Sequence, residues 1–271
     1  MISVLILTKD EEQDLPGCLA SVSWCDDVHV FDSLSTDRTV EIAKAAGAQV
    51  TVRAFDSYAN QRNAALRTCS FRYPWLLILD ADERLPSDAL PVMHSAVRSA
   101  CADVAGFRLR RRDFLYGRWL KHAAITPFYL RLVRHAHARY EREINEVMMV
   151  DGIVSDVPCY FDHYPFSKGV AHWVAKHNIY STMEAAQALR ERSTCARFSL
   201  REALFSSGVE RRRFHQKGLF YQMPARPFFK LVYMLLWRRA FLDGRAGVTY
   251  AVLQAIYEYF IVLKEREIKV I

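Results

Sequence analysis

Residues 75–83 read WLLILDADE. Five apolar residues form a run of the right length for one buried strand, and three carboxylates follow it closely. Similar strand-like runs lie at residues 2–7, 28–31 and 49–52, with helix-like segments between them. Strands that alternate with helices are typical of a parallel sheet with crossover helices. The stretch at 75–83 therefore predicts the fourth strand of an α/β sheet.

The helices between these strands have recognisable beginnings. The acidic run at residues 10–14 predicts the first turn of one helix, because negative charge there suits the helix dipole. Thr36 and Asp37 predict the cap of a second helix over Arg38–Ala46. A third, polar helix is predicted near Asn60–Arg67.

Carboxylates recur just past the ends of three predicted strands: Asp10 with Glu11, then Asp32, then Asp80 with Asp82. In open α/β sheets, ligands bind outside the carboxyl ends of the strands. Two carboxylates two residues apart can hold Mg²⁺ or Mn²⁺ and leave positions open for substrate phosphates. Although Asp-x-Asp is also a common turn sequence, its recurrence at strand ends favours one shared cleft.

The second half of the chain reads differently. Mixed strand and loop signals run to about residue 164, and helices are predicted at 169–189 and 198–204. Two aromatic-rich stretches follow, Pro227–Leu242 and Val248–Leu263. Charges interrupt both, so neither is expected to reach the ~18–20 apolar residues of a membrane-spanning helix. Core helices and amphipathic helices on a bilayer surface both remain open.

The net charge of +7 is unevenly distributed. Residues 1–100 hold 14 acidic and nine basic side chains, a net charge of −5, and residues 101–271 hold 16 and 28, a net charge of +12. The basic part either carries ordinary solvated helix faces or faces lipid head groups, a phosphorylated acceptor or nucleic acid. Six scattered cysteines without a C-x-x-C pair indicate a reducing cytosol. The N-terminal MISVLIL lacks the basic region of a signal peptide.

Four motifs carry a resemblance to a known family: ILTKDEE at 6–12, FDSLSTD at 31–37, QRNAA at 61–65 and LDADE at 79–83. In this order they resemble glycosyltransferase family 2, whose members have the GT-A fold. Three further segments resemble its branch of lipopolysaccharide core β-1,4-glucosyltransferases and exopolysaccharide transferases: REINE at 142–146, HYPF at 163–166 and FLDGRAG at 241–247. The resemblance implies a Rossmann-like α/β domain over 1–185, with a mostly parallel open sheet and helices on both faces. A basic, aromatic-rich helical region then covers 186–271, and membrane association is one role open to it.

The resemblance also implies roles for single residues on the donor side. Thr8 and Glu11 match positions that line the nucleotide pocket. Asp32 matches the carboxylate that reads the uracil edge, for which a turn residue is the alternative. Arg62 and Asn63 match positions near the ribose and the diphosphate.

Asp80 and Asp82 match the family's metal–diphosphate motif, which implies Mg or Mn as cofactor. His163 lies where a late histidine completes the metal shell in GT-A enzymes, and a structural role is its alternative. Lys176 is a candidate to neutralise the leaving diphosphate.

An inverting transfer needs a general base that takes the proton of the acceptor hydroxyl. Glu146 is the candidate because REINE resembles the family's base-bearing segment, and Glu143 is its rival. In a strand these two side chains would point to opposite faces, so only one would face the cleft. A surface carboxylate paired with Arg139 or Arg142 is the structural alternative.

The chain departs from the family pattern at two positions. Asp10 stands where many relatives have Asn, and Leu34 stands where many have Gly. The leucine implies that this turn does not need a positive φ at position 34.

These features predict an inverting, metal-dependent hexosyltransferase. By resemblance it moves glucose from UDP-glucose to a lipid-anchored saccharide, such as lipopolysaccharide inner core or a polysaccharide precursor. The expected location is the anionic cytoplasmic face of the bacterial inner membrane, as a peripheral protein. A dinucleotide-dependent oxidoreductase is disfavoured, because TKDE at 8–11 stands where G-x-G-x-x-G is needed.

The remaining alternative is a non-enzymatic, basic membrane- or nucleic-acid-binding module built on the RRR runs at 110–112 and 211–213. Such a module leaves the ordered acidic motifs without a role, and no nucleic-acid partner is expected.

Overall fold

The computed structural model describes residues 1–141, 147–193, 198–223 and 225–270. The chain forms two compact units. Unit 1 comprises Met1–Phe114 with Thr126–Ser167, and unit 2 comprises Leu115–Ile125 with Lys168–Ile271. The predicted domain boundary at residue 185 falls inside the helix Gly169–Ser193.

The strands are β1 (Ile2–Thr8), β2 (Val28–Asp32), β3 (Gln49–Val52), β4 (Trp75–Asp80), β5 (Glu83–Arg84), β6 (Val104–Leu115), β7 (Arg118–Trp119), β8 (Phe128–Arg134), β9 (Ala138–Glu141), β10 (Val147–Val150) and β11 (Ile153–His163). The main sheet has the order β3-β2-β1-β4-β8-β6-β11-β5, and β9 and β10 form a separate antiparallel pair. Strands β1 to β4 are parallel to one another, as are β6 and β11. Strand β8 is antiparallel to both of its neighbours. The predicted, mostly parallel α/β sheet is confirmed.

Unit 1 contains the helices α1 (Leu15–Ser21), α2 (Thr39–Ala45), α3 (Tyr58–Thr68) and α4 (Ala89–Ser99). Unit 2 contains α5 (Gly169–Ser193), α6 (Leu200–Phe205), α7 (Val209–Gln222), α8 (Arg226–Val232) and α9 (Gly244–Val270). The described residues also contain one π-helical segment (Tyr233–Trp237) and two 3₁₀ segments (His135–His137 and Ala240–Asp243).

Strand β4 shows why the centre of the sheet is apolar throughout. Leu77 and Leu79 pack in the core that includes Leu15 of α1 and Met93 of α4. The alternate residue Ile78 belongs to the core on the other face, which includes helix α3. Because helices cover both faces, neither face of β4 meets water, and an unbroken apolar run is required.

The prediction that the acidic run after β1 forms the first turn of a helix is wrong. Helix α1 begins only at Leu15. The backbone N–H groups of residues 10, 11 and 12 instead donate to the side chains of Ser35, Thr39 and Asp37. The run therefore forms a loop that is tied to the turn after β2.

The expectation for Leu34 was also wrong, since its φ is +59°. For a non-glycine residue this left-handed conformation costs about 1–2 kcal/mol. The Leu34 side chain is half exposed. Both the N–H and the hydroxyl of Ser35 donate to Asp32, at 2.8 and 2.5 Å, and these bonds hold the turn.

The helices of unit 2 correct one further prediction. The stretch Ala240–Ile268 is long and apolar enough to cross a membrane, by length and composition alone. Residues 246–263 carry a single charge, Glu258, so counting this residue as a break was too strict. The core helices of soluble proteins pass the same test. Here Glu258 is buried and lies 2.7 Å from the guanidinium of Arg226 on α8.

Candidate active site

The carboxyl ends of three parallel strands place the predicted residues side by side. In the register of the sheet, Thr8 at the end of β1 pairs with Asp32 at the end of β2. Leu7, one residue earlier, pairs with Asp80 at the end of β4. The three acidic clusters therefore meet at one edge, where open α/β sheets bind their ligands.

Asp32 is fully buried at this edge. Its Oδ1 accepts hydrogen bonds from the hydroxyls of Thr8, at 2.8 Å, and Ser35, at 2.5 Å. The carboxylate is thus held in one orientation by donors on both sides.

Glu11 lies half-buried in the loop after β1, and its N–H donates to Thr39 Oγ1 at 2.7 Å. Next to it, Asp10 Oδ1 accepts from the N–H of Thr36 at 2.7 Å. This backbone hydrogen bond, helped by Lys9, holds the pKa of Asp10 below its usual value. The loop and the turn after β2 thus form one wall of the edge.

Helix α3 brings two further predicted residues to the site. Arg62 Nη2 donates to Asp80 Oδ1 at 2.9 Å. Asn63 uses its side-chain amide differently: Nδ2 donates to the Tyr140 carbonyl and Oδ1 accepts from the Tyr140 N–H, both at 2.8 Å. Arg62 therefore faces the carboxylates, whereas Asn63 fastens β9 to α3.

Asp80 lies between two guanidiniums. Arg131 of β8 donates to its Oδ2 at 3.2 Å, opposite Arg62, and also contacts the buried carboxylate of Glu83. Although burial opposes the shift, the two arginines hold the pKa of Asp80 well below its usual value. Burial raises the pKa of Glu83 against the pull of Arg131. The two arginines therefore favour the ionised form of Asp80.

Asp82 faces His163, which ends β11. The His163 Nε2 lies 3.3 Å from Asp82 Oδ2, and its Nδ1 lies 2.6 Å from Asp113 Oδ1. Burial alone would lower the pKa of His163, but the carboxylates of Asp82 and Asp113 raise it to about 9. Asp113 fixes the orientation of the ring, and the ring presents its other nitrogen to Asp82.

These residues fit the predicted divalent cation in part. Within the described ranges, no cluster of three or more His, Cys, Asp or Glu side chains is arranged to hold a metal ion. Asp82 and His163 are close together and each about a fifth exposed, so they fit as two ligands that leave other positions to substrate phosphates. The arginines beside Asp80 compete with a cation for its oxygens.

A sequence comparison assigns this domain to a family. The family described as "Glycosyl transferase family 2" matches residues 3–154. The chain belongs to glycosyl transferase family 2. It is therefore a glycosyltransferase, and its sheet has the GT-A fold that the resemblance predicted.

Curated relatives in this family agree. The chain is 28% identical to the lipopolysaccharide core biosynthesis glycosyltransferase LpsC of Rhizobium meliloti, over 95% of this chain and 92% of that protein. It is 40% identical to an uncharacterized glycosyltransferase of Rickettsia bellii, over 32% of this chain and 29% of that protein.

Two solved structures to which this chain shows similarity are the following. S. aureus TarS 1–349 has a TM-score of 0.41 at 13% identity and covers 95% of this chain and 90% of its own. Glucosyl-3-phosphoglycerate synthase from Mycobacterium tuberculosis, in complex with Mn²⁺, UDP and glucosyl-3-phosphoglycerate, has a TM-score of 0.36 at 21% identity and covers 41% and 44%.

One further predicted residue of this family 2 enzyme belongs to unit 2. Lys176 is exposed on α5 in unit 2, with its ammonium 5.9 Å from the ring centroid of Tyr180. Glu146 and Glu143 lie outside the described residues. Arg139, a suggested partner for them, pairs with Glu141 and with Asp151.

Three residues of the site were not predicted from the sequence: Glu83, Asp113 and Arg131. Glu83 belongs to the quoted LDADE motif, and its burial gave no separate signal. Arg131 interrupts the apolar run YLRLV at 129–133, which is the kind of buried charge that marks a site. Asp113 directly follows the RRR run at 110–112, and no motif in the sequence marks it.

Proposed function

We propose that the protein transfers a hexose, glucose from UDP-glucose by resemblance, to a hydroxyl of a lipid-anchored saccharide, with inversion and with Mg²⁺ or Mn²⁺ as cofactor. The observation that carries this proposal is the meeting of Thr8, Asp32 and Asp80 at one edge of the family 2 sheet. The lipopolysaccharide core function in the printed name of LpsC, which aligns with nearly the whole chain, supports the choice of acceptor.

On the donor side, Asp32 supplies an acceptor for the N3–H of uracil. An incoming uracil would replace one of the two hydroxyls that now donate to this carboxylate. Arg62 and Arg131 flank Asp80 and concentrate positive charge where the diphosphate would lie. Such preorganised charge stabilises a leaving group that becomes more negative during the transfer.

Asp82 and His163 would hold the divalent cation, which when bound supplies Lewis-acid stabilisation of the diphosphate. His163 carries a proton at neutral pH, because its pKa is raised to about 9 by its two carboxylate neighbours. Holding the cation through Nε2 would need the neutral ring, so this proton would leave His163 when the cation binds.

The position of Glu146 in the chain supports it as the base. Segment 142–146 connects β9 to β10, and Glu141 pairs with Val147 on either side of it. Tyr140, just before the segment, is fastened to α3 by Asn63, and its ring lies 5.4 Å from the guanidinium carbon of Arg62. The residues that flank the segment are therefore anchored beside the Asp80 cluster.

We also propose that the protein acts at the cytoplasmic face of the inner membrane, as a peripheral protein on an anionic surface. Its acceptor is lipid-anchored in this proposal, and docking would confine enzyme and acceptor to one surface. Residues 101–271 carry a net charge of +12. Large apolar side chains of unit 2 are exposed between α8 and α9, foremost Trp237 at 80% and Leu236 at 69%. Apolar side chains beside basic ones suit the head-group region of an anionic bilayer.

A thermal-shift measurement tests the donor class. UDP with Mn²⁺ is expected to raise the melting temperature, because a ligand at a hundred times its Kd stabilises by about 2.7 kcal/mol. For a domain of this size that corresponds to roughly 5–10 °C. NAD⁺ and a DNA oligonucleotide, each with and without Mn²⁺, serve as controls and are expected to change nothing. Stabilisation by the oligonucleotide or NAD⁺, with no effect of UDP, would contradict the proposal.

A further inference from the structure

Unit 2 contains a cavity that is lined by two arginines. It has a volume of about 570 Å³ and is lined by Tyr116, Arg118, Arg245, Ala246 and Thr249. In the part of the chain that the structure describes, neither arginine lies within ion-pair distance of a carboxylate. Two like charges that share one opening without a counter-ion favour an anionic ligand.

The segment FLDGRAG builds this cavity by fastening itself to residues 115–125. The buried carboxylate of Asp243 accepts the N–H groups of His122, at 2.8 Å, and Ala123, at 2.7 Å. Arg238 binds the same segment as a donor: it donates to the carbonyls of His122, at 3.1 Å, and Ala124, at 2.6 Å. The N–H groups of His122 and Ala123 therefore hold the Asp243 carboxylate towards residues 115–125.

The two glycines of the segment permit the close packing. Gly244 has a φ of +66°, and a Cβ there would stand 3.3 Å from Arg118 Nη1, so the guanidinium lies directly against it. Arg118 Nη2 donates to the Leu242 carbonyl at 3.1 Å. At Gly247 a Cβ would stand 2.0 Å from the Ala240 carbonyl oxygen, which no other residue could tolerate. The glycine pattern therefore serves to hold Arg118 and the first turn of α9 together.

The surroundings of the cavity are apolar and exposed. Tyr116 of the lining is 68% exposed, and Phe241, Leu242 and Val248, which are close to Arg245 in the sequence, are exposed as well. A site for a soluble anion gains nothing from apolar side chains kept in water, whereas a site for an amphiphile needs both features.

We propose that this cavity binds the phosphate group of a membrane phospholipid, with Arg118 and Arg245 as the phosphate ligands. The exposed apolar side chains nearby would enter the lipid interface. Guanidinium groups suit this task because they donate two parallel N–H bonds to phosphate oxygens, which an ammonium group cannot do. The inference rests on the proposed membrane docking and names the site through which it occurs.

Charge-conserving variants separate this site from general electrostatic attraction. The full chain is sedimented with vesicles of phosphatidylcholine alone, or of phosphatidylcholine mixed with an equal part of phosphatidylglycerol. The double variant Arg118→Lys/Arg245→Lys keeps the net charge but removes both guanidiniums. We expect it to bind the mixed vesicles about tenfold more weakly than the wild type. The matched control, Arg239→Lys, alters an exposed arginine outside the cavity lining. Its binding to the mixed vesicles is expected to stay within about twofold of the wild type.

The outcomes distinguish the site from the docking. Wild-type protein that binds neither vesicle overturns the docking, and the site with it. Wild type and double variant that bind the mixed vesicles equally overturn the site alone. A thermal-shift measurement with inorganic phosphate, without vesicles, tests whether the cavity binds free phosphate instead of a lipid phosphate group. The assignment to a lipid is overturned if phosphate stabilises the wild type but not the double variant, and if vesicles do not compete with phosphate for the cavity. Stabilisation by UDP with Mn²⁺ is expected to persist in the double variant, because it reports on unit 1.

Discussion

Replacing Glu146 with Gln is expected to lower turnover by roughly 10² or more and to leave the affinity for the UDP-sugar within a few-fold. The amide keeps the size and polarity of the side chain but cannot accept the proton of the acceptor hydroxyl. Because the donor does not need this proton transfer to bind, the loss should fall on turnover. Steady-state kinetics with varied donor, together with calorimetric titration of UDP, separates the two effects.

The matched control for this variant is Glu143→Gln, which makes the same chemical change three residues earlier in the same segment. It is expected to keep most of the activity. If Glu143→Gln instead loses turnover and Glu146→Gln remains active, the two roles must be exchanged. If both variants remain active, the base lies outside this segment.

Replacing Asp82 with Ala is expected to abolish the Mn²⁺-dependent part of UDP binding. Asp82 is the carboxylate that faces His163 Nε2, and its removal leaves the imidazole as the single protein ligand of that pair. Two carboxylates flank His163 in the wild type, so the substitution also removes one of the charges that raise the pKa of the ring. Calorimetric titration of UDP, with and without Mn²⁺, measures the effect directly.

The control for Asp82 is Asp88→Ala, which removes an exposed carboxylate from the same unit. It is expected to preserve the difference between the titrations with and without Mn²⁺. If UDP binding to Asp82→Ala depends on Mn²⁺ as strongly as in the wild type, the cation is held by other residues.

The parallel core of the sheet could be predicted because local sequence determines it. Strand β4 must be apolar on both faces, and its buried run at 75–79 shows this without reference to any other segment. The start of α1 could not be predicted in the same way. The backbone N–H groups of the acidic run before it donate to Ser35, Asp37 and Thr39, more than twenty residues away, and such long-range contacts are not visible in the local sequence.

The same distinction holds for the candidate site. Carboxylates at strand ends placed Asp32 and Asp80 at one edge, because parallel strands end together. Arg131 depends on a non-local event, the insertion of β8 antiparallel between β4 and β6. Asp113 likewise reaches His163 only through the pairing of β6 with β11. Strand order leaves no periodic trace in the sequence, so these partners become visible only in the fold.

The conformation of Leu34 illustrates a different limit. Its identity argued against a positive φ, yet the turn adopts one at +59°. The hydrogen bonds from Ser35 to Asp32 and from the 10–12 loop to the residues after Leu34 outweigh a local cost of about 1–2 kcal/mol. Single-residue preferences are too weak to exclude a conformation that several long-range bonds favour.

Release of UDP is the measurement that tests the central claim most directly. The 271-residue chain is incubated with Mn²⁺, a deacylated lipopolysaccharide inner-core saccharide and, in turn, UDP-glucose, UDP-galactose, UDP-N-acetylglucosamine or UDP-N-acetylgalactosamine. We predict UDP release that requires both the enzyme and the acceptor, is fastest with UDP-glucose, and is accompanied by a product with inverted anomeric configuration. A product that retains the donor's configuration, or UDP release no faster than in the enzyme-free control with all four donors, would contradict the account.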